Sequence, residues 1–133
     1  MIDISTDKSK LQIDMIHQFL TNSYWGKGRT VDEVKKTIEN CLCFGVYLDE
    51  KQIGFARIVT DYTVFAYLMD VFILPEHRGK GYSKQLMKAI NEEPKLQPCK
   101  VWMLKTADAH GLYKQFGYSE LKHPEKVMER ILT

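Results

Sequence analysis

The chain has little of what would tie it to nucleic acid, a membrane or an oxidising compartment. No dense basic tract is present, and 19 Lys and Arg face 17 Asp and Glu for a net charge of +2. Proteins that live on phosphate backbones carry a far larger excess or a concentrated basic run, so nucleic acid is not an expected partner. Long hydrophobic runs are also missing. The longest, residues 64–74, is eleven residues with Asp70 inside it, too short to cross a bilayer, so no membrane partner is expected. The first ten residues, MIDISTDKSK, scatter charges where a secretory leader has an apolar core. Cysteines number three. Cys41, Cys43 and Cys99 cannot all pair with one another, and their spacing fits neither a zinc site nor a CxxC redox pair. A cytoplasmic chain is predicted, with Cys41 and Cys43 as small buried hydrophobes. His17, His77 and His123 have no partners at metal-ligand spacing, so no metal is expected.

What is there suits one domain over residues 1–133, since 133 residues at 44% hydrophobic content fill a single core. Residues 2–5 alternate as a short strand, and Leu11, Ile13, Ile16, Phe19 and Leu20 mark a helix face over about 7–21. Residues 23–29 (SYWGKGR) read as a loop. Thr30 and Glu33 then form a capping box before Val31, Val34 and Ile38. Residues 42–48 and 53–59 predict an antiparallel hairpin, and 65–74 a strand apolar on both faces. After Pro75 and a glycine-bearing loop come a helix over 82–91, a strand over 101–104 and a helix over about 108–116. Residues 118–133 are expected to add one or two weak strands. Strand, helix, strand over 65–104 predicts a right-handed crossover between parallel strands, inside a sheet that the hairpin makes mixed.

The most informative stretch is residues 73–83, ILPEHRGKGYS, leaving the buried strand and opening a helix. Gly79 and Gly81 let backbone approach a ligand closely, and a helix start offers unpaired N–H groups with a positive dipole. Arg78 and Lys80 add cations. The pattern predicts a phosphate or pyrophosphate site, yet it is neither a Walker A loop nor a dinucleotide fingerprint. It resembles the GNAT superfamily signature, Arg/Gln-x-x-Gly-x-Gly/Ala, here Arg78-Gly79-Lys80-Gly81-Tyr82-Ser83 with a serine at the last place. A second block, Ala109-His110-Gly111-Leu112-Tyr113 followed by Phe116-Gly117-Tyr118, resembles that family's Leu-Tyr and Gly-Phe/Tyr pattern. The DAHGLY run is similar to a subgroup of small bacterial members.

The resemblance implies an α/β fold with a mixed, mostly antiparallel sheet, a parallel pair at the cofactor cleft and about four flanking helices. It implies an N-acetyltransferase that moves the acetyl group of acetyl-CoA to a primary amine of a small molecule or protein by direct attack, with homodimers common among small members. The backbone of Phe72 and Ile73 would then pair with the pantetheine arm, and Arg78, Gly79, Lys80, Gly81, Tyr82 and Ser83 would hold the pyrophosphate. Thr106 stands where many members have a pantetheine-binding Asn. Tyr113 takes the place of the proton donor to the leaving thiolate, against the alternative of a tyrosine packed on the helix face. Asp70, costly to bury unpaired, is either a base or a carboxylate tying its strand to a neighbouring loop. Ile73 N–H is the expected oxyanion donor. Tyr24, Trp25 and Arg29 on one side, and Asp61 and Tyr62 on the other, are candidates for the acceptor wall. Two rivals stand beside this reading. One is a catalytically silent acyl-CoA-binding or sensing module on the same fold. The other is an interaction surface built on Arg78, Lys80, Lys84 and Lys88.

Overall fold

In the computed structural model, which describes residues 1–132, the apolar and alternating runs become one five-stranded sheet in chain order. β1 (Asp3–Ser5), β2 (Leu42–Leu48), β3 (Lys51–Thr60) and β4 (Phe65–Ile73) pair antiparallel in turn. β5 (Val101–Leu104) pairs parallel with β4. The sheet is thus mixed and mostly antiparallel with one parallel pair, as predicted. Four helices flank it: α1 (Ile13–Thr21), α2 (Val31–Glu39), α3 (Tyr82–Glu92) and α4 (His110–Lys114).

Each face of the sheet has its own core. On one, α3 buries Leu86, Met87 and Ile90 against Phe44, Val46, Ile58 and Leu68. On the other, α1 and α2 bury Ile16, Leu20, Val34 and Ile38 against Phe55 and Phe72. Burying a side chain of this size is worth roughly 1.5–3 kcal/mol, so either face lost would unfold the sheet. Cys41 and Cys43 are buried free thiols in the second core. The capping box is present, with Thr30 accepting from Glu33 N–H and Glu33 accepting from Thr30 N–H.

Three boundaries differ from expectation. The helix expected over 7–21 is split, because Asp7 accepts from Ser9 and closes a 3-10 turn at Lys8–Lys10. Gln12 is then held extended by reciprocal bonds with Gln52, 2.7 and 3.1 Å long. The last helix is shorter than expected, starting at His110 after Thr106 Oγ1 accepts the Ala109 N–H at 3.0 Å. No strand follows it among the described residues. Charges at Glu120, Lys122, Glu125 and Lys126 break any alternation, Pro124 removes a donor, and the segment holds one 3-10 turn, Pro124–Lys126.

The feature that makes a site is a bulge in β4. Phe55 faces Phe72, but the next pair is Arg57 with Met69, so β4 spends one residue more than β3 there. Asp70, in that extra stretch, adopts φ +55°, a conformation that non-glycine residues seldom take and that Asp tolerates better than most. The bulge also resets which side each residue faces. Ala66 and Leu68 share the α3 core with Val71 and Ile73, whereas Asp70 and Phe72 turn to the α1–α2 side.

Candidate active site

β5 pairs with β4 only from Phe65 to Leu68, while β4 runs on to Ile73. The two parallel strands therefore part, leaving a cleft of about 490 Å³ floored by residues 67–73. Backbone groups on this open edge are set by the ladder to β3. Leu74 N–H donates to Ile53 C=O at 2.8 Å, so Ile73 one step on is a pair that does not bond to β3 and faces the cleft. Phe72, the next step, faces β3 instead, and its ring stacks on Phe19 at 3.9 Å. Of the two residues expected to offer backbone to an arm, the register aims Ile73 there and turns Phe72 away. Val71, which the sequence did not single out, lies with Asp70 opposite Ala56 and lines the cleft as well.

At the Ile73 end the strand gives way to a second, contiguous pocket of about 260 Å³, lined by His77, Arg78, Gly79, Gly81, Tyr82 and Ser83 among others. Gly79 and Gly81 have φ of +79° and +80°, and a Cβ built on either meets nothing within 4 Å. These glycines thus serve the backbone path and leave open space beside it. Gly81 is the N-cap of α3, whose first N–H groups border that space. Arg78 Nε donates to Ile73 C=O at 2.9 Å, which pins the turn to the strand end. His77 Nδ1 is buried at this wall with no hydrogen-bond partner among the described residues. Lys80 is exposed and borders neither pocket.

Tyr113, on α4, is 9% exposed and lines the main cleft. Burial, with the nearby Asp108 carboxylate adding to it, holds its phenol pKa above the usual value. The hydroxyl therefore stays protonated throughout the neutral range. Thr106 and Ser83 line the same cleft. His110 does not; it borders an adjoining cavity of about 360 Å³ that shares Leu104, Thr106 and Tyr113 with the cleft.

Asp70 is spoken for. It is 5% exposed, and its two oxygens accept from Trp25 Nε1 at 3.0 Å, Arg29 Nη1 at 2.7 Å and Arg57 Nε at 2.6 Å. Those contacts tie β4 to the loop after α1, which is the structural alternative of the sequence reading. Arg57, missed in the sequence, is buried on β3; burial opposes its charge, but Asp70 outweighs that and raises its pKa. A signal was available: an Arg and an Asp, each inside an otherwise apolar run, on strands expected to be neighbours.

Tyr24, Trp25 and Arg29 do line the cleft. Trp25, 40% exposed, also packs its ring against Phe19 at 6.1 Å. Asp61 and Tyr62 do not reach it. They form the β3–β4 turn, at the end of β4 away from Ile73, where Asp61 Oδ1 accepts from Thr63, Val64 and Phe65 N–H groups. Among the described residues, no group of three or more His, Cys, Asp or Glu is placed to hold a metal.

A sheet that splits between two parallel strands above a glycine turn and a helix N-terminus can be compared with known proteins. The acetyltransferase (GNAT) domain model matches residues 39–120. The chain belongs to the GNAT family of acetyltransferases. A crystal structure of a GNAT-family protein from Xanthomonas campestris is 45% identical, with a TM-score of 0.97 over 99% of this chain and 94% of that one. A Gibberella zeae protein named "putative acetyltransferase" is 29% identical, over 90% of this chain and 80% of its own. A GNAT family protein of Streptococcus pneumoniae, 19% identical, superposes with a TM-score of 0.73 over 100% of this chain and 98% of that one, a likeness of fold.

Proposed function

We propose that the protein transfers the acetyl group of acetyl-CoA to a primary amine by direct attack. One observation carries this reading: the Tyr113 phenol, buried and protonated, borders the same cleft as the unpaired β4 edge at Ile73. Acetyl-CoA bound there supplies an activated acyl carbonyl and a thiol leaving group. The cradle fits its pyrophosphate, since Gly79 and Gly81 leave room for one and the α3 amides and Arg78 border it. Thr106 keeps a hydroxyl on the cleft although its oxygen already caps α4.

The residues divide the work by their chemistry. Ile73 N–H is positioned to donate to the carbonyl oxygen as charge builds on it. Tyr113 O–H donates to the departing sulfur; full transfer from an ordinary phenol of pKa ~10 to a thiolate of pKa ~8.5 is uphill by about 2 kcal/mol, and burial of Tyr113 adds to that, so a strengthening hydrogen bond does most of the stabilising. A lysine-like amine, pKa ~10.4, is neutral in only about one molecule in a thousand near pH 7, so its proton needs an acceptor. Asp70 is occupied by three donors. Asp108 is an exposed carboxylate on the cleft that accepts no hydrogen bond from the described residues, and it takes that proton through water.

The test is release of free CoA from acetyl-CoA across a panel of small amines and peptides, with the acetylated product read by mass. Amine-dependent release with a 42 Da gain on the acceptor, roughly the mass of one acetyl group replacing hydrogen, supports the reading. Tight CoA binding with no turnover on any amine contradicts it and leaves a silent binding module.

A further inference from the structure

The Asp70 cluster holds more positive than negative charge, and the excess faces the cleft. Two guanidinium groups meet one carboxylate: Arg57, buried behind Asp70, and Arg29, whose side chain is 17% exposed on the cleft wall. Arg57 spends Nε on Asp70 and Nη1 on Cys41 Sγ. Arg29 spends one. Among the described residues its guanidinium makes a single hydrogen bond, through Nη1 to Asp70 Oδ2 at 2.7 Å. Its other four N–H donors have no hydrogen-bond partner among the described residues, and the exposed part of the guanidinium is on the cleft wall, held there by Asp70.

We propose that the acceptor amine carries an oxyanion, a carboxylate or a phosphate, and that Arg29 is the residue that receives it. This rests on the acetyltransfer reading above and adds the acceptor's class to it. Asp70 lies three residues before Ile73 on β4, so the two are at most about 10 Å apart along the strand at about 3.3 Å per residue, less where the bulge shortens it. That span separates the anion from the reacting amine by a few bonds and keeps it clear of the phosphate turn, which lies beyond Ile73. Tyr24 and Trp25 stand beside Arg29, in edge contact at 5.1 Å, and give the acceptor's carbon skeleton an apolar wall. The carboxylate beside Arg29 is already neutralised twice over, and the other carboxylate on the cleft, Asp108, is assigned to the acceptor's ammonium end. A plain diamine or a lysine-rich peptide would instead bring a second cation against Arg29 and Arg57.

The experiment uses matched acceptors with the intact protein. One arm sets L-amino acids against their carboxamides; the other sets amino-sugar phosphates against the unphosphorylated amino sugars. Each compound is assayed for CoA release and, separately, for binding to the CoA-loaded protein by calorimetry. The expected result is a preference of at least tenfold in kcat/KM or in affinity for the anionic member of one series, and the arm that shows it says which oxyanion is meant. Arg29→Gln should bring that ratio close to one, while Arg29→Lys, which keeps the charge without the fork, should retain part of it. Because Arg29 also braces Asp70, the unfolding midpoint and CoA affinity of each variant are measured alongside, and the ratio within one variant is unaffected by a general loss of stability. Equal use and equal binding of charged and neutral members in both arms overturns the proposal, as does a preference that survives Arg29→Gln. Arg29-dependent binding of the anion without any acetyl transfer leaves this inference standing and removes the acetyltransfer reading instead.

Discussion

At the scale of residues, the proposed mechanism gives Tyr113 the chemistry, while the contacts of Asp70 are structural. Asp70 sits buried at φ +55° with three donors on its oxygens. Asparagine tolerates that backbone, so Asp70→Asn keeps the fold of the chain there, removes the charge and turns one acceptor oxygen into an NH2 that faces an N–H donor. It leaves Arg57 buried beside a neutral amide, and removing one partner of a buried pair costs about 3–5 kcal/mol. Urea unfolding should show a loss of that order, and a variant that keeps its stability while losing turnover would return Asp70 to the chemistry. Tyr113→Phe removes one oxygen and keeps the ring against Tyr118, 5.9 Å away. Its kcat should fall about 10²-fold with the CoA dissociation constant unchanged, since the lost bond matters most as charge gathers on sulfur. Full activity where chemistry limits the rate would remove Tyr113 from the mechanism. That Tyr113 lies on the cleft was legible because it sits in a motif block. The structural role of Asp70 was one of the two readings offered, but its partners were not legible, because they arrive from positions 25, 29 and 57 and meet only in the fold.

At the scale of elements, the cleft depends on where β4 leaves its neighbours. Gly54 lies under that point: a Cβ there would stand 2.6 Å from Ile73 Cδ1 and 2.9 Å from Phe72 C=O. The isoleucine tip can turn aside, but the backbone oxygen cannot without shifting β4. Gly54→Ala should therefore cost about 1–3 kcal/mol as overpacking and weaken CoA binding several-fold together, because the Ile73 edge moves with the strand. Unchanged CoA affinity in that variant would show that the edge is not where the cofactor arm lies. Strand and helix positions were largely legible in the sequence. β2 and β5 are bounded at Leu42, Leu48, Val101 and Leu104 as expected, and the Thr30 cap starts α2 where it should. The bulge was not legible. It is a mismatch in residue count between two strands, and neither strand's own alternation records it.

At the scale of the whole molecule, two covered faces mean that buried thiols and phenols must stay neutral. Burial pushes the Cys43 thiol, with Cys41 beside it, up to about 12, and the Tyr47 phenol also to about 12. Both folded values lie above those of the unfolded chain, so the unfolded chain releases its protons first as pH rises. Stability is thus full below about pH 8 and falls between about pH 9 and 12. Each group contributes about 1.4 kcal/mol for every tenfold by which folding weakens its acidity. Denaturant midpoints at about pH 8 and 10.5 should show the drop, and Cys43 should resist alkylation at about pH 8 until the protein unfolds. A flat profile over that range would mean that these groups are less enclosed than their packing indicates.

That the cleft and the glycine turn form one binding site for acetyl-CoA is the claim on which the rest depends. The most direct measurement is calorimetric titration of CoA into the wild-type protein and into Gly81→Val, with unfolding curves to establish that the variant is folded. Gly81 has open space around it and a φ of +80°, so a branched side chain both fills the cradle and displaces the first α3 amides. Saturable binding by the wild type, lost by at least about 30-fold (some 2 kcal/mol) in a folded Gly81→Val protein, is the predicted result. An unchanged dissociation constant in that folded variant, or no CoA binding by the wild type, would contradict the claim.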